Sequence, residues 1–317
     1  MGEQHSKRVV PCPVCAAMEA ERSDAAAGLV RCRRCGLGWL DPQPSDATLA
    51  AVYTDDYFTK PIDPGGLSYL ENRAGLERFF DGRLRRIERL IRPGRVLDVG
   101  AGLGYFLHAA ARRGWRGVGL ETSAFAAEYA RREFGLDVRR RTLDEAALDE
   151  GAFDLVVMRD VLEHTRDPRA TLRLAHRLLR PGGLLALSMP NFASLNARLG
   201  GACWRHLRLP QHLFHFTPEA LGRLLRECGL AIAECTSRYD SPATREVYAA
   251  LADPAARRRL AFHAALRGDI VFLPLGSALR RGLRAIALVC SCIACPFRDK
   301  LRDDILEVLA LKPEASR

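Results

Sequence analysis

From Arg95 onward the chain alternates between two rhythms of apolar and polar positions. Short, nearly all-apolar runs read as strands: RVLDV (95–99), GVGLE (117–121), LDVRR (136–140), FDLVVM (153–158), LLALSM (184–189) and LAIAEC (230–235). The segments between them carry helical spacing, notably YFLHAAARRG, AFAAEYARREFG and PRATLRLAHRLLRPGG, the last closing on a Pro-Gly-Gly stop. Apolar strands alternating with helices predict an α/β fold, a doubly wound parallel sheet covered on both faces. The pattern breaks after Ser237, and DDILEVLAL (303–311) then reads as one more strand.

Ahead of this region lie two segments of different character. Residues 1–40 are punctuated by cysteines and read as a small ribbon. Residues 41–92 form a connector that opens on the turn-rich DPQPSD and ends in a helix with Leu76, Phe79, Phe80, Leu84, Ile87 and Ile91 on one face. Residues 93–317 make the main domain, with a helical, arginine-punctuated excursion at about 240–300.

Charge changes the picture less than its size suggests. The net charge of +10 invites a nucleic-acid or anionic-membrane partner, yet only four of the 48 basic residues are lysines and the arginines spread along the whole chain. No secretory signal opens the sequence, so a cytoplasmic, reducing location is expected, where cysteines serve as metal ligands or buried thiols.

The turn DVGAGLGYF after the first main strand is where a nucleotide-like cofactor binds in such a sheet. A dinucleotide fingerprint requires G-x-G-x-x-G. Here Gly100 and Gly102 fit, but Tyr105 stands at the third glycine position and the glycine comes one residue early, at Gly104. Preceded by Asp98, this turn suits a ligand with an amino-acid tail and a nucleoside rather than a pyrophosphate. Glu121, ending the second strand, can accept hydrogen bonds from ribose hydroxyls. S-adenosylmethionine meets both requirements.

With DVGAGLGYF, GLETS, FDLVVMRDVLEHTRDP and LLRPGGLLALSMPN in this order, residues 93–237 resemble the class I S-adenosylmethionine-dependent methyltransferases. The resemblance implies a Rossmann-like seven-stranded sheet whose last strand, ILEVLAL, runs antiparallel. It also implies that Gly100, Gly102 and Gly104 cradle the methionine portion, with Asp98 and Tyr105 flanking the turn, and that Glu121 binds the ribose. Thr142, Leu143 and Asp144 would flank the adenine, and Arg159 and Asp160 would close the site.

Cys12-x-x-Cys15 and Cys32-x-x-Cys35 have the spacing of a zinc ribbon, two knuckles presenting four thiolates to one structural Zn²⁺. The continuation CGLGWLDPQPSDATLAAVYTDDYF is similar to the N-terminal part of bacterial methyltransferases of small molecules, nucleotide-linked sugars and glycans. That resemblance implies that the segment packs over the substrate cleft. Tyr53, Tyr57 and Phe58 then either line the substrate side or anchor the connector.

Methyl transfer to a hydroxyl needs a proton acceptor, and histidine is suited to that work. His164 lies in DVLEHTRDP, where either a structural or a catalytic role is open. His212 and His215 lie in LPQHLFHFTPEAL, where this superfamily builds substrate pockets; His212 is the best single candidate for a base, and His215 belongs on the substrate side. The element resembles a Glu-His-Leu sequence of the zinc-bearing group, with Gln211 in place of the acid.

Within the excursion, residues 270–297 combine Arg280, Arg281 and Arg284 with an uncharged stretch from Ala285 to Phe297. This is too short to span a bilayer and suits either a helix lying on the inner face of the membrane or a buried cap. The expected reaction is methyl transfer to oxygen or carbon of a sugar, glycan, lipid-linked or other small acceptor. The alternatives are an RNA-modifying enzyme, which the absence of an Asn/Asp-Pro-Pro-aromatic motif after the fourth strand disfavours, and a non-catalytic cofactor-binding scaffold.

Overall fold

The computed structural model describes residues 11–23, 26–51, 55–61, 67–238 and 303–314. Tyr53 and the excursion at 240–300 lie outside the described residues. In chain order the first elements are β1 (Ala20–Arg22), β2 (Leu29–Cys32) and β3 (Gly38–Leu40), then α1 (Asp46–Ala50), α2 (Asp56–Thr59) and α3 (Arg73–Ile87). The main domain follows with β4 (Arg95–Val99), α4 (Tyr105–Ala111), β5 (Arg116–Leu120), α5 (Ala124–Phe134), β6 (Asp137–Arg139) and β7 (Phe153–Arg159). After a 3₁₀ turn at Leu162–His164 come α6 (Pro168–Leu178), β8 (Leu179–Pro190), α7 (Leu195–Gly200), β9 (Phe214–His215), α8 (Pro218–Glu227), β10 (Ala231–Arg238) and β11 (Ile305–Leu311).

Seven strands form one sheet in the order β10-β11-β8-β7-β4-β5-β6. The pairs among β4 to β8 are parallel, and β11 enters antiparallel between β8 and β10. The chain winds outward from β4 through β5 to β6, then crosses back to β7 on the other side of β4. That reversal opens a crevice at the carboxyl ends of β4 and β7, where ligands bind in such sheets.

Residue parity divides the core. Leu97, Val156, Met158, Leu185 and Leu187 face one layer with α6 and α8, whereas Val96, Leu155, Val157, Leu184 and Ala186 face the other with α3, α4 and α5. Period-two alternation with both faces apolar is what a sheet covered on both sides requires. On the α3 face the strands turn polar at their carboxyl ends, finishing in Asp98, Arg159 and Ser188. The predicted face of α3 holds: Phe80, Leu84, Ile87 and the following Ile91 are buried, with Leu76 and Phe79 half-buried against them. Glu307 of β11 pins this helix, pairing with Arg83, with Arg86 at 3.1 Å and with Arg238 at 2.7 Å.

Local chemistry explains the helix ends. Ser123 caps α5, accepting from the Ala126 N–H at 3.2 Å, and Gly135 stops it at φ +65°. Asp167 caps α6 with Pro168 in the first turn. The Pro-Gly-Gly read as the stop of α6 instead lies inside β8. The helix ends at Leu178, and the extra residues are absorbed by a register shift in which Phe153 pairs with Leu179 while Leu155 pairs with Leu184.

The cysteine ribbon is built into the rest of the chain. Its sheet runs β1-β2-β3-β9, with Gly38 opposite His215 and Trp39 opposite Phe214. Cys12, Val14, Leu37 and Trp39 share one buried cluster with Leu172, Leu221 and Leu224 of α6 and α8. The Thr217 hydroxyl ties the two together, donating to the Cys35 carbonyl at 2.7 Å while accepting from the Ala220 N–H at 3.1 Å.

Candidate active site

The glycine turn is shaped by contacts as well as by backbone freedom. Gly100, Gly102 and Gly104 all have positive φ, at +72°, +53° and +81°. A Cβ on Gly104 would sit 2.8 Å from the Ala130 Cβ and 2.9 Å from Leu136 Cδ1, so α5 packs directly on the turn. The Gly100 and Ala101 N–H groups both donate to the Leu120 carbonyl, at 2.8 and 3.0 Å. Glu121, nine-tenths buried, takes the Gly102 N–H on one carboxyl oxygen and the Ser123 N–H on the other, each at 2.8 Å. Each oxygen keeps a second lone pair, the acceptors that two ribose hydroxyls need.

Asp98 is buried beneath this turn. Burial pushes its carboxyl up to about 7; Arg159 pulls against that shift and Glu121 adds to it. A cavity of about 60 Å³ runs from Asp98 past Arg159 and Ser188 to Phe80, Arg83 and Arg86 of α3. The Ser188 hydroxyl in it is buried without a hydrogen-bond partner.

An aromatic cluster roofs the turn. The ring of buried Phe58 lies 3.6 Å from where a Gly102 side chain would begin. Phe58 packs on Tyr57, on Tyr69 and on Phe125, with Tyr57 and Tyr69 stacked at 5.6 Å. Burial raises the Tyr57 phenol above its ordinary value, and Tyr69, Asp160 and Arg208 act on it as near charges or partners.

The other wall begins where β7 ends. Arg159 and Asp160 approach to 3.6 Å, and Asp160 holds a left-handed backbone at φ +52° with its N–H bonded to the Ser188 carbonyl. Such a conformation in a non-glycine residue is costly and gathers at functional sites. Just beyond, the rings of His164 and His212 meet edge-on at 4.7 Å. Burial holds His164 down to about 4 and His212 well below the ordinary imidazole value, so both are neutral near pH 7. His215, likewise held to about 3 by burial, lies 6.1 Å from His212, and neither of its ring nitrogens has a hydrogen-bond partner.

The residues singled out from the sequence thus fall into groups. Asp98, the three glycines, Tyr105 and Glu121 surround the turn, with Phe58 above it. Tyr57, Arg159, Asp160, His164 and His212 gather at the end of β7. Thr142, Leu143 and Asp144 occupy the turn after β6, with Thr142 and Asp144 exposed and the Thr142 N–H bonded to Glu145 at 3.0 Å. Sequence reasoning passed over Glu163, which is buried to 1% exposure beside His164. An acid inside the short apolar turn VLEH was the only available signal.

The four cysteines form the second assembly. Cys12 and Cys35 Sγ lie 3.6 Å apart, Cys15 and Cys32 Sγ 3.5 Å, and all four lie within 4.8 Å of one another. A tetrahedral ion with bonds of about 2.3 Å to sulfur sets its ligands roughly 3.8 Å apart. Each Cys-x-x-Cys is followed by a residue of positive φ, Ala16 at 56° and Gly36 at 74°, which lets each loop fold back as a knuckle.

Strand order, glycine turn and ribose-ready acid together define the class: a Rossmann-like S-adenosylmethionine-dependent methyltransferase. A methyltransferase-domain family model matches residues 69–234, over half of the chain, and the chain belongs to that family. It is similar to the ubiquinone biosynthesis O-methyltransferase of Pseudomonas aeruginosa (strain UCBPP-PA14), 30% identical over 197 residues that span 58% of this chain and 78% of that protein. The protein of the same name from Xanthomonas axonopodis pv. citri (strain 306) is 32% identical over 174 residues, 50% of this chain and 73% of its own. Among solved structures, a SAM-dependent methyltransferase from Archaeoglobus fulgidus shares the fold at a TM-score of 0.50 and 18% identity, covering 74% of this chain and 94% of that one.

Proposed function

We propose that this methyltransferase acts on a hydroxyl oxygen of a small, planar acceptor. The observation that carries this reading is the gathering of the site's groups at the carboxyl ends of β4, β5 and β7. Asp98 lies near Glu121, Phe58 packs over Gly102, Tyr57 lies near Asp160, and His164 and His212 follow just beyond. The similarity to O-methyltransferases named for ubiquinone biosynthesis supports an oxygen acceptor.

Bound over the turn, S-adenosylmethionine supplies a methyl group on a positively charged sulfur. Glu121 orients the ribose, and Asp98 offers a carboxylate to the amino-acid end. The aromatic roof excludes water and presents flat apolar surface to an acceptor ring. A hydroxyl must shed its proton as it is methylated. In the turn after β7 and the loop before β9, the neutral imidazoles of His164 and His212 carry lone pairs that can receive it. We further propose that the four cysteines hold a structural Zn²⁺, whose full set of protein ligands leaves no position for chemistry.

The test is an incubation with S-adenosylmethionine and a panel of phenols, catechols and matched amines, read by mass spectrometry. Transfer to hydroxyls that fails in His212→Ala, while cofactor binding persists, supports the proposal. Transfer to amines alone would overturn it.

A further inference from the structure

We infer that the cysteine ribbon is a positioning element of the acceptor side: its strand β3, tied down through Thr217, sets where His212 stands against His164. The path is a short run of backbone bonds. The Leu40 N–H at the end of β3 donates to the Leu213 carbonyl at 3.0 Å, and the Leu213 N–H donates to the Glu163 carbonyl at 2.8 Å. Leu213, the residue after His212, is therefore clamped between the ribbon and the turn after β7.

The residue before His212 is held as well. The Gln211 carbonyl lies 2.9 Å from His164 Nδ1, and because a carbonyl only accepts, the ring nitrogen donates. His212 bonds within its own loop, its N–H donating to the Arg208 carbonyl at 3.0 Å and its Nδ1 to the His206 carbonyl at 2.8 Å. Those two bonds shape the loop without placing it against β7. Placement comes from the flanks, Gln211 and Leu213, and from β9, where Phe214 and His215 pair with Trp39 and Gly38 of β3. Leu213, Phe214, His215 and Trp39 are each at most 4% exposed, and such close packing passes a shift of β3 on to the loop. Thr217 fixes the same strand pair from its far end, its hydroxyl donating to the Cys35 carbonyl at 2.7 Å.

The bonds that hold the cofactor turn come from other segments. Gly100 and Ala101 donate to Leu120, and Glu121 accepts from Gly102 and Ser123. Packing divides in the same way: Trp39, Leu162, Leu213 and Phe214 share one buried cluster, whereas Phe58, Ala101, Leu103 and Tyr105 lie in the other. The ribbon thus acts on the acceptor side and leaves the cofactor side to itself. A reacting group displaced by about 1 Å can lose about a hundredfold in rate, so a support this close to His212 bears on turnover. That catalytic consequence rests on the hydroxyl reading above; the placement of His212 does not.

The test compares the wild type with Thr217→Val, Thr217→Ser and Gly38→Ala as full-length, metal-replete proteins with isotope-labelled histidine rings. Ring signals are read by NMR, and S-adenosylmethionine is titrated calorimetrically into each. Thr217→Val removes the tie together with the cap of α8, and Thr217→Ser keeps both. Gly38→Ala spares Thr217 but puts a Cβ 2.8 Å from Phe192 Cε1 and 3.1 Å from His215 Cβ, a wedge between β3 and β9. Thr217→Val and Gly38→Ala should each move the His164 and His212 signals and leave that of His108, on α4, in place. Cofactor affinity should stay within about twofold, as expected for a site that is not coupled. Thr217→Ser should restore the wild-type signals. With a hydroxyl acceptor, kcat should fall about tenfold or more in the first two variants at unchanged cofactor KM. Unmoved His164 and His212 signals in both variants overturn the inference. So does a His108 signal or a cofactor affinity that changes along with them, because the ribbon then supports the whole domain rather than one side. Moved signals without methylation of any hydroxyl uphold the placement and overturn the hydroxyl reading.

Discussion

Two buried glutamates, Glu121 and Glu163, stand at the carboxyl ends of neighbouring parts of one sheet, and their surroundings differ sharply. Glu121 closes β5 and takes a backbone N–H on each oxygen from residues close in sequence. Glu163 follows β7 and takes none, although it is the more deeply buried of the two. Glu121 is held by the backbone of its own turn, with both carboxyl oxygens engaged. The opposite side, at the turn after β7, holds an acid with no hydrogen-bond partner among the described residues, its pKa raised well above the ordinary value by burial and by Asp160.

The difference can be broken from several directions. Removing metal should have the widest effect, because the ribbon shares its sheet and core with β9 and α8. A ligand at about a hundred times its Kd contributes about 2.7 kcal/mol. Stripping with chelator should therefore lower Tm by roughly 5–10 °C, measured by scanning calorimetry, with recovery on adding Zn²⁺. An unchanged Tm would mean that the four thiols stabilise nothing by binding metal.

Replacing each glutamate by glutamine in metal-free protein separates the two directly. Glu121→Gln leaves one backbone N–H facing an amide NH₂ and should cost about 2 kcal/mol in urea unfolding. Glu163→Gln replaces a buried carboxyl that makes no hydrogen bond and whose pKa burial and Asp160 raise well above the ordinary value, and should not lower stability at all. Equal losses would erase the distinction.

Asp98 sharpens the cofactor side through pH. Its carboxyl is raised from 3.8 to about 7 in the fold, so its contribution to stability is full below the unfolded value and is lost as pH climbs through 7. A cationic ligand favours the ionised form. S-adenosylmethionine should therefore bind more tightly from pH 6 to 8, by up to about tenfold per unit below 7, or about 1.4 kcal/mol. Asp98→Asn should flatten that slope. The smallest change expected is at Asp160, whose left-handed backbone suits glycine: Asp160→Gly should raise stability by up to about 1 kcal/mol while lowering kcat. A variant that gains stability and keeps full turnover would show that the strain serves no chemistry.

Legibility in the sequence followed the same division. β4 was readable to the residue, and the glycine turn was readable because it depends on a few adjacent positions. Glu163 was invisible because its meaning lies in burial and in missing donors, which no spacing reports. The seating of Phe58 over Gly102 and the pairing of Gly38 with His215 arise from tertiary packing between distant segments. The Pro-Gly-Gly after α6 misled for a related reason: breaker residues signal a stop, but the fold used them to offset the register of β8 against β7. The four cysteines were legible as a set, and their shared core with α6 and α8 was not.

The most direct measurement is calorimetric titration of the metal-replete protein with S-adenosylmethionine, run beside Glu121→Ala. The account predicts one saturable site per chain in the wild type. The variant, having lost charge-assisted bonds of about 1.5–3 kcal/mol each, should bind about a hundredfold more weakly. Equal binding by both proteins, or none by a folded wild type, would contradict the assignment of this crevice.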